Sequence, residues 1–266
     1  MSSSTVPIHG NYHGYYAKRP SASDPRLELL PPHTFAGKRV LDVGCNEGWV
    51  SCEIAQSHAA AKVVGVDIDD VLVRAAWRRR RAAWSAQGPP PDENVDAVPS
   101  SRKRKRVVDP VGETDYFPAS CAHTLGPLPV PRSAPHLFPH NVAFRTADWV
   151  NETIPEDEDG YDVVLAFSIT KWIHLNGGDN ALRRFFARAA AVLPPGGQFA
   201  VEPQAWDTYR KAKRMDKRLR DTAQGLVLRP EDFPRVLAEL GFGAPLRLGS
   251  VGEGGFHRPV DLYTKL

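Results

Sequence analysis

The chain has 266 residues, 42% of them hydrophobic and 24% charged, with a formal net charge of +3. That length buries one sizeable core, so a single domain carrying insertions is expected rather than two domains. No apolar run reaches the ~18 residues of a membrane span, and Cys45, Cys52 and Cys121 form no CxxC pair, which disfavours a disulfide framework and a bound metal.

The opening stretch MSSSTVPIHG lacks the basic-then-apolar pattern of a secretory signal, so a cytosolic or nuclear address is expected. Residues 1–36 read as an N-terminal arm, in which NYHGYYAKR sets Tyr12, Tyr15, Tyr16 and Arg19 ahead of the fold proper. From residue 37 onward, β-branched runs alternate with amphipathic stretches, the pattern of βα units around a parallel sheet. Strands are predicted over 38–43, 62–66, 141–145, 162–168 and 198–202, and LRLGS with VDLYTKL reads as a closing hairpin. Helices fill the gaps, over GWVSCEIAQSHA and DNALRRFFARAAAVL, the second stopped by PPGG at 194–197.

Residues 87–139 interrupt this alternation and hold 11 of the 24 prolines. Such a segment is predicted to sustain neither strand nor helix and to be a largely disordered insertion. Its run RKRKR, 102–106, is either a solvated charge cluster or a nuclear-localisation or nucleic-acid patch.

The first βα turn, LDVGCNEGW, carries Gly44 and Gly48, which let the backbone bend tightly and approach a ligand at the carboxyl end of the sheet. The spacing is not the GxGxxG of a dinucleotide site, and no Lys-Ser or Lys-Thr follows as in a P-loop. Asp67 ends the second strand where an acid accepts both ribose hydroxyls of an adenosine, and Asp148 with Trp149 follow the third strand beside the adenine. Acid, glycine turn and second acid in this order indicate S-adenosylmethionine. Asp42, Asn46, Ile68 and Ser168 are grouped with them, and Arg19 is a candidate for the cofactor carboxylate.

The stretches GNYHGYYAKR, LDVGCNEG, VVGVDID, YDVVLAFSITKWIHLNGGD, LPPGGQFAVEPQAW and GGFHRPVDLY span nearly the whole chain outside the insertion. In them the sequence resembles the class I methyltransferases and, more narrowly, the Bin3-type RNA methyltransferases, the family of 7SK RNA methylphosphate capping. Two departures stand out: the long insertion, and ADW in place of an Asn-Tyr pair after the third strand. The resemblance implies a Rossmann-like α/β fold, a mostly parallel seven-stranded sheet with helices on both faces and a terminal antiparallel hairpin. It also implies an RNA substrate and S-adenosylmethionine as cofactor.

In that fold the fourth strand ends beside the reactive sulfonium, so AFSITKWIHLNGGD sets Lys171, His174 and Asn176 at the methyl acceptor. Lys171 and His174 are expected to orient a terminal RNA phosphate, whose oxygen is already anionic and needs positioning more than a strong base. Glu202 and Gln204, in VEPQAW, lie beside them; Glu202 either serves the site or pairs with a nearby arginine. The tyrosines of the arm stack on a terminal base or pin the arm to the core, with the arm closing over the cofactor. Arg258 is a further phosphate candidate. WDTYRKAKRMDKRLRD, 206–221, reads as a basic helix presenting Arg210 and Arg214 to RNA. Methylation of a 5′ terminal phosphate of a small non-coding RNA is the leading expectation. Ribose 2′-O-methylation and an RNA-binding, chaperone-like subunit of a ribonucleoprotein are the alternatives.

Overall fold

The computed structural model describes residues 6–16, 23–87, 117, 119–126, 128–130, 136–252 and 257–266. Arg19 and the run RKRKR lie outside them. The chain divides into two units, residues 1–80 with 132–266, and residues 81–131.

The larger unit is built on a seven-stranded sheet in the order β3-β2-β1-β4-β5-β7-β6. Its strands are β1 (Arg39–Val43), β2 (Lys62–Asp67), β3 (Val142–Thr146), β4 (Val163–Phe167), β5 (Gln198–Glu202), β6 (Leu246–Val251) and β7 (Arg258–Thr264). Neighbours among β1 to β5 pair in parallel; β7 runs antiparallel to both β5 and β6. Central strands are covered on both faces and therefore read as unbroken apolar runs: all five residues of β4, VVLAF, are buried. The order reverses between β1 and β4, which opens a crevice at their carboxyl ends.

Around the sheet lie α1 (Pro25–Leu29), α2 (Trp49–Ser57), α3 (Asp70–Ala86, whose last turns enter the smaller unit), α5 (Thr170–Val192), α6 (Tyr209–Ala212), α7 (Lys217–Gln224) and α8 (Phe233–Glu239); α4 (Ala119–Leu125) belongs to the smaller unit. Phe185 and Phe186 of α5 meet Phe199 of β5, and Phe233 of α8 closes on Phe186 with ring centroids 5.1 Å apart. All four rings are buried. Helix α5 begins at the end of β4 and is interrupted at Gly178 (φ 69°, ψ −172°), so the predicted helix over 179–193 is its second half. A smaller cluster, Trp172, Leu175, Tyr209, Ala212, Leu219 and Leu226, seats α6 and α7 against the first half of α5.

Two expectations are corrected. The basic stretch 206–221 is not one helix: a 3-10 turn (Trp206–Thr208) and the four-residue α6 precede α7, which Asp216 caps by accepting from the Arg218 amide at 2.7 Å. An aspartate at that position starts a new helix more readily than it continues one. The insertion also holds a helix, α4 (Ala119–Leu125) in the smaller unit, where the Phe117 amide donates to the Ser85 carbonyl at 3.0 Å. The stretch ASCAHTL lies between prolines 118 and 127, long enough for two turns free of proline.

Gly48 opens α2 at φ 75°, and a Cβ there would lie 2.8 Å from Ala76 Cβ and Phe144 Cζ. This glycine lets α2 approach β3 and α3. Gly48→Ala should lower stability by about 1–3 kcal/mol in urea unfolding, through overpacking and an unfavourable φ. An unchanged midpoint would show that the contact yields freely.

Candidate active site at the carboxyl edge of the sheet

The crevice holds a cavity of about 810 Å³, lined by the arm, the ends of β1, β2 and β4, the start of α5 and the basic segment after β5. On one side, Asp67 closes β2. Its carboxylate accepts from the Asn46 amide at 2.9 Å and the Asp69 amide at 3.0 Å, and burial pushes its pKa up to about 6. Gly44 sits at φ 80°, and a Cβ there would strike Ile169 Cγ2 at 2.2 Å, so only glycine lets β1 turn under the cavity floor. Ile68, 40% exposed, offers an apolar face to the same side. Asp148 also lines it, with its carboxylate capping a turn through the Val150 amide and the Asn151 side chain.

Residues 6–16 cross the other lip and are fastened at several points. Asn46 Nδ2 donates to the Tyr12 carbonyl at 3.2 Å, Asn176 Nδ2 to the Ile8 carbonyl at 2.8 Å, and the Gly14 amide to Glu47 at 3.0 Å. Asn11 and His13 both reach Asp69. Tyr16 stacks on Trp49 and Tyr12 meets Trp172 edge-on. The tyrosines thus pin the arm, while Tyr12, Tyr15 and Tyr16 also face the cavity.

Beyond the arm, cations gather. Lys171, at the start of α5, is 8% exposed; its ammonium lies 3.4 Å from Thr208 Oγ1 and 4.9 Å from the Trp172 ring centroid. Burial, with Arg258 and Lys211 nearby, lowers its pKa to about 8, against a weaker opposing pull from Asp207. Lys171, Lys211, Arg218 and Arg258 all line the cavity. Bringing like charges together around the buried ammonium of Lys171 is costly unless an anion joins them.

Several expected site residues take other roles. His174 is fully buried: Nε2 donates to Asp179 at 2.7 Å, Nδ1 accepts from the Tyr209 hydroxyl at 3.3 Å, and burial lowers its pKa. It ties the two halves of α5 to α6 and does not border the cavity, so it cannot hold a phosphate there. Glu202 is also fully buried and paired with Arg26 at 2.8 Å, the arginine alternative. Asp42 is buried and accepts from Ser51 at 2.6 Å, fixing α2 to β1, and Gly48 serves packing rather than a ligand. The Trp149 ring, 2% exposed, packs against Phe185 and donates to Asp157, and the residue also borders the cavity. Arg210 and Arg214 are exposed and do not border the cavity; Lys211 and Arg218, also exposed, border it instead. Gln204 Oε1 accepts from the Lys171 amide and Thr170 hydroxyl, and its Nε2 donates to the Ser168 carbonyl, so it shapes the cavity wall.

Sequence reading missed Arg26, Lys211 and Arg218. Arg26 carries a faint signal, since it alternates with buried Leu27 and Leu30 behind the helix cap Asp24.

A seven-stranded sheet of this order, with a glycine turn after β1 and an acid ending β2, defines a class I methyltransferase fold. A methyltransferase-domain family model matches residues 41–110. The structure superposes on the N-methyltransferase NodS of Bradyrhizobium japonicum in complex with S-adenosyl-L-homocysteine, with a TM-score of 0.52 at 11% identity, over 91% of this chain and 84% of that one. Residues 161–265 match the model for Bicoid-interacting protein 3 (Bin3). The chain is 36% identical to the 7SK snRNA methylphosphate capping enzyme of Mus musculus over 97% of its own length, and spans 40% of that relative. It is 31% identical to the U6 snRNA methylphosphate capping enzyme Amus of Drosophila melanogaster, covering 97% of this chain and 74% of the relative. The chain belongs to the Bin3 family.

His174→Ala should cost about 1–3 kcal/mol of stability, as expected for a buried hydrogen-bonded group. Methyl transfer per folded molecule should stay within about threefold of wild type. A loss of 100-fold or so at full folding would return His174 to the reaction.

Proposed function

We propose that this protein is an S-adenosylmethionine-dependent RNA methyltransferase that O-methylates the 5′ terminal phosphate of a small non-coding RNA. The observation that carries this reading is the convergence of Lys171, Arg258 and Lys211 on the cavity beside the end of β4. A terminal phosphate, which carries more charge than the phosphodiesters beside an internal ribose hydroxyl, makes fuller use of such a cluster. The names of the mouse and fly relatives, both methylphosphate capping enzymes of small nuclear RNAs, point the same way.

The residues present fit the cofactor. Asp67 offers a carboxylate at the cavity that would accept from ribose hydroxyls, Gly44 leaves room for close backbone approach, Ile68 offers an apolar face, and the cavity is large enough for a nucleoside with an RNA end beside it. S-adenosylmethionine supplies an electrophilic methyl group. The chain's own task is to hold a phosphate oxygen in line with it, since bringing reactants into near-attack geometry removes much of the barrier. Charge here must be measured: cations that neutralise the phosphate too fully would lower its nucleophilicity, whereas hydrogen bonds to its non-reacting oxygens orient it. Lys171, partly discharged near pH 8, is suited to orient without over-neutralising. Nuclear action within a ribonucleoprotein, with proteins of that particle as partners, is part of the proposal, supported by the snRNA substrates in the relatives' names and by the run RKRKR.

Purified protein with labelled S-adenosylmethionine and short RNAs ending in 5′ triphosphate, monophosphate or hydroxyl should place label on a 5′ phosphate. Label on an internal ribose, or binding of both ligands without transfer, would overturn this. Lys171→Ala should lower kcat/KM about 100-fold with unchanged cofactor affinity. In wild type, the ammonium that attracts phosphate is charged below its pKa, so kcat/KM for RNA should fall as pH rises through about 8. Lys171→Arg should remove that fall, and a wild-type profile flat from pH 7 to about 9 would contradict the assignment. Asp67→Asn should weaken S-adenosylhomocysteine by roughly tenfold or more in calorimetry; unaltered affinity would remove Asp67 from the ribose site.

A further inference from the structure

Ser168, the first residue after β4, lies in the cavity wall at φ 62°, a conformation that side-chain-bearing residues rarely adopt. Glycine would sit there without strain, so the hydroxyl is retained against a backbone preference. Its bonding explains why. Arg258 Nη1 donates to Ser168 Oγ at 2.7 Å, the Tyr15 hydroxyl lies 3.4 Å away, and Ser168 Oγ donates to Glu202.

A hydroxyl has one hydrogen to give and two lone pairs with which to accept. Glu202, as a carboxylate, only accepts, and Arg258 only donates, so the serine proton points to Glu202 and its lone pairs point outward. The Tyr15 hydroxyl is thereby also a donor to Ser168. Direction in this chain is set by Glu202, which β4–β5 pairing places opposite Phe167, next to the serine.

Glu202 is itself fixed from behind. Arg26 Nη1 donates to it at 2.8 Å, while Asp24 grips Arg26 through Nε at 2.8 Å and Nη2 at 2.6 Å. Arg26, Asp24 and Glu202 are 2%, 7% and 0% exposed. A charge chain buried this deeply is rigid, because moving any member strands another without its partner. Arg258, at the first position of β7, has a long side chain with many rotamers, and an arginine that must meet a phosphate gains most when its fork is held in advance.

We propose that Ser168 is a positioning residue rather than a cofactor ligand: held by the Arg26–Glu202 pair, it aims Arg258 at the acceptor phosphate. This rests on the phosphate-methylation reading for its substrate, but it is tested by binding as well as turnover.

The test compares wild type, Ser168→Gly, Arg258→Ala and the double variant, all loaded with S-adenosylhomocysteine. Affinity for a short 5′-phosphorylated RNA is measured by calorimetry, and kcat/KM is measured with S-adenosylmethionine. Ser168→Gly relieves its φ but removes a hydrogen bond to buried Glu202, so it should still fold, unfolding within about 5 °C of wild type, and should keep cofactor affinity within about twofold. It should nonetheless lose about tenfold in RNA affinity and in kcat/KM. In the Arg258→Ala background the same change should cost less than about twofold, because nothing remains to be aimed. Equal losses in both backgrounds would show that Ser168 does not act through Arg258. A tenfold loss of cofactor affinity would make it a cofactor ligand, and either result overturns the proposal. Coupling in binding without methyl transfer by wild type would uphold the positioning role while refuting the reaction; transfer without coupling would do the reverse.

Discussion

The buried pair between Arg26 and Glu202 is the constraint on which the site's geometry depends. Removing two such charges from water costs several kcal/mol per ion, and the cost is offset only where the remaining hydrogen-bonding positions are filled. Asp24 meets two of the guanidinium nitrogens, the Tyr16 hydroxyl lies 3.4 Å from Arg26 Nη2, and Ser168 donates to Glu202. Glu202 ends β5, Ser168 follows β4, and Arg26 belongs to α1, so a single electrostatic contact joins the segment before the sheet to the end of two central strands. Loss of either partner leaves the other charged and buried, typically destabilising by about 3–5 kcal/mol. The pair therefore makes the carboxyl edge of the sheet rigid where an acceptor must be held.

From that edge the charges divide the cavity. Carboxylates, Asp67 and Asp148, stand toward β2 and β3, where Arg184 also borders the cavity beside Asn151, and the cations Lys171, Lys211 and Arg258 stand toward α5, α6 and β7. Such separation gives the cavity a polarity suited to a nucleoside with hydroxyl groups at one end and a phosphate at the other. The arm lies over both ends, held by backbone acceptors at Tyr12 and Ile8 as much as by its rings. Its tyrosines combine a structural role with a face toward the cavity.

The parallel core was legible because its strands are buried on both faces and so read as continuous apolar runs, and because Gly44 and Asp67 stand at fixed places in the first βα unit. The site was only half legible. Lys171, His174 and Asn176 are alike as polar letters after a strand, but in a helix they point in different directions. Lys171 faces the cavity, Asn176 binds the arm, and His174 turns to Asp179 and Tyr209. Arg26 and Glu202 are 176 positions apart, beyond any local pattern, and only the fold brings them together. The basic stretch misled for another reason: charge and helical spacing continue through Asp216, but an aspartate that caps the next helix breaks the periodicity, and Lys211 of α6 and Arg218 of α7, not Arg210 and Arg214, border the cavity.

The central claim is that the cations beside β4 receive the terminal phosphate of an RNA. Phosphorus-31 NMR of a short RNA carrying a 5′ monophosphate, titrated with protein and S-adenosylhomocysteine, tests it most directly. The terminal phosphorus resonance should shift and broaden before the internal ones, and Lys171→Ala should abolish that preference. Equal broadening of all phosphates, or an effect on internal positions first, would place the RNA end elsewhere and contradict the account.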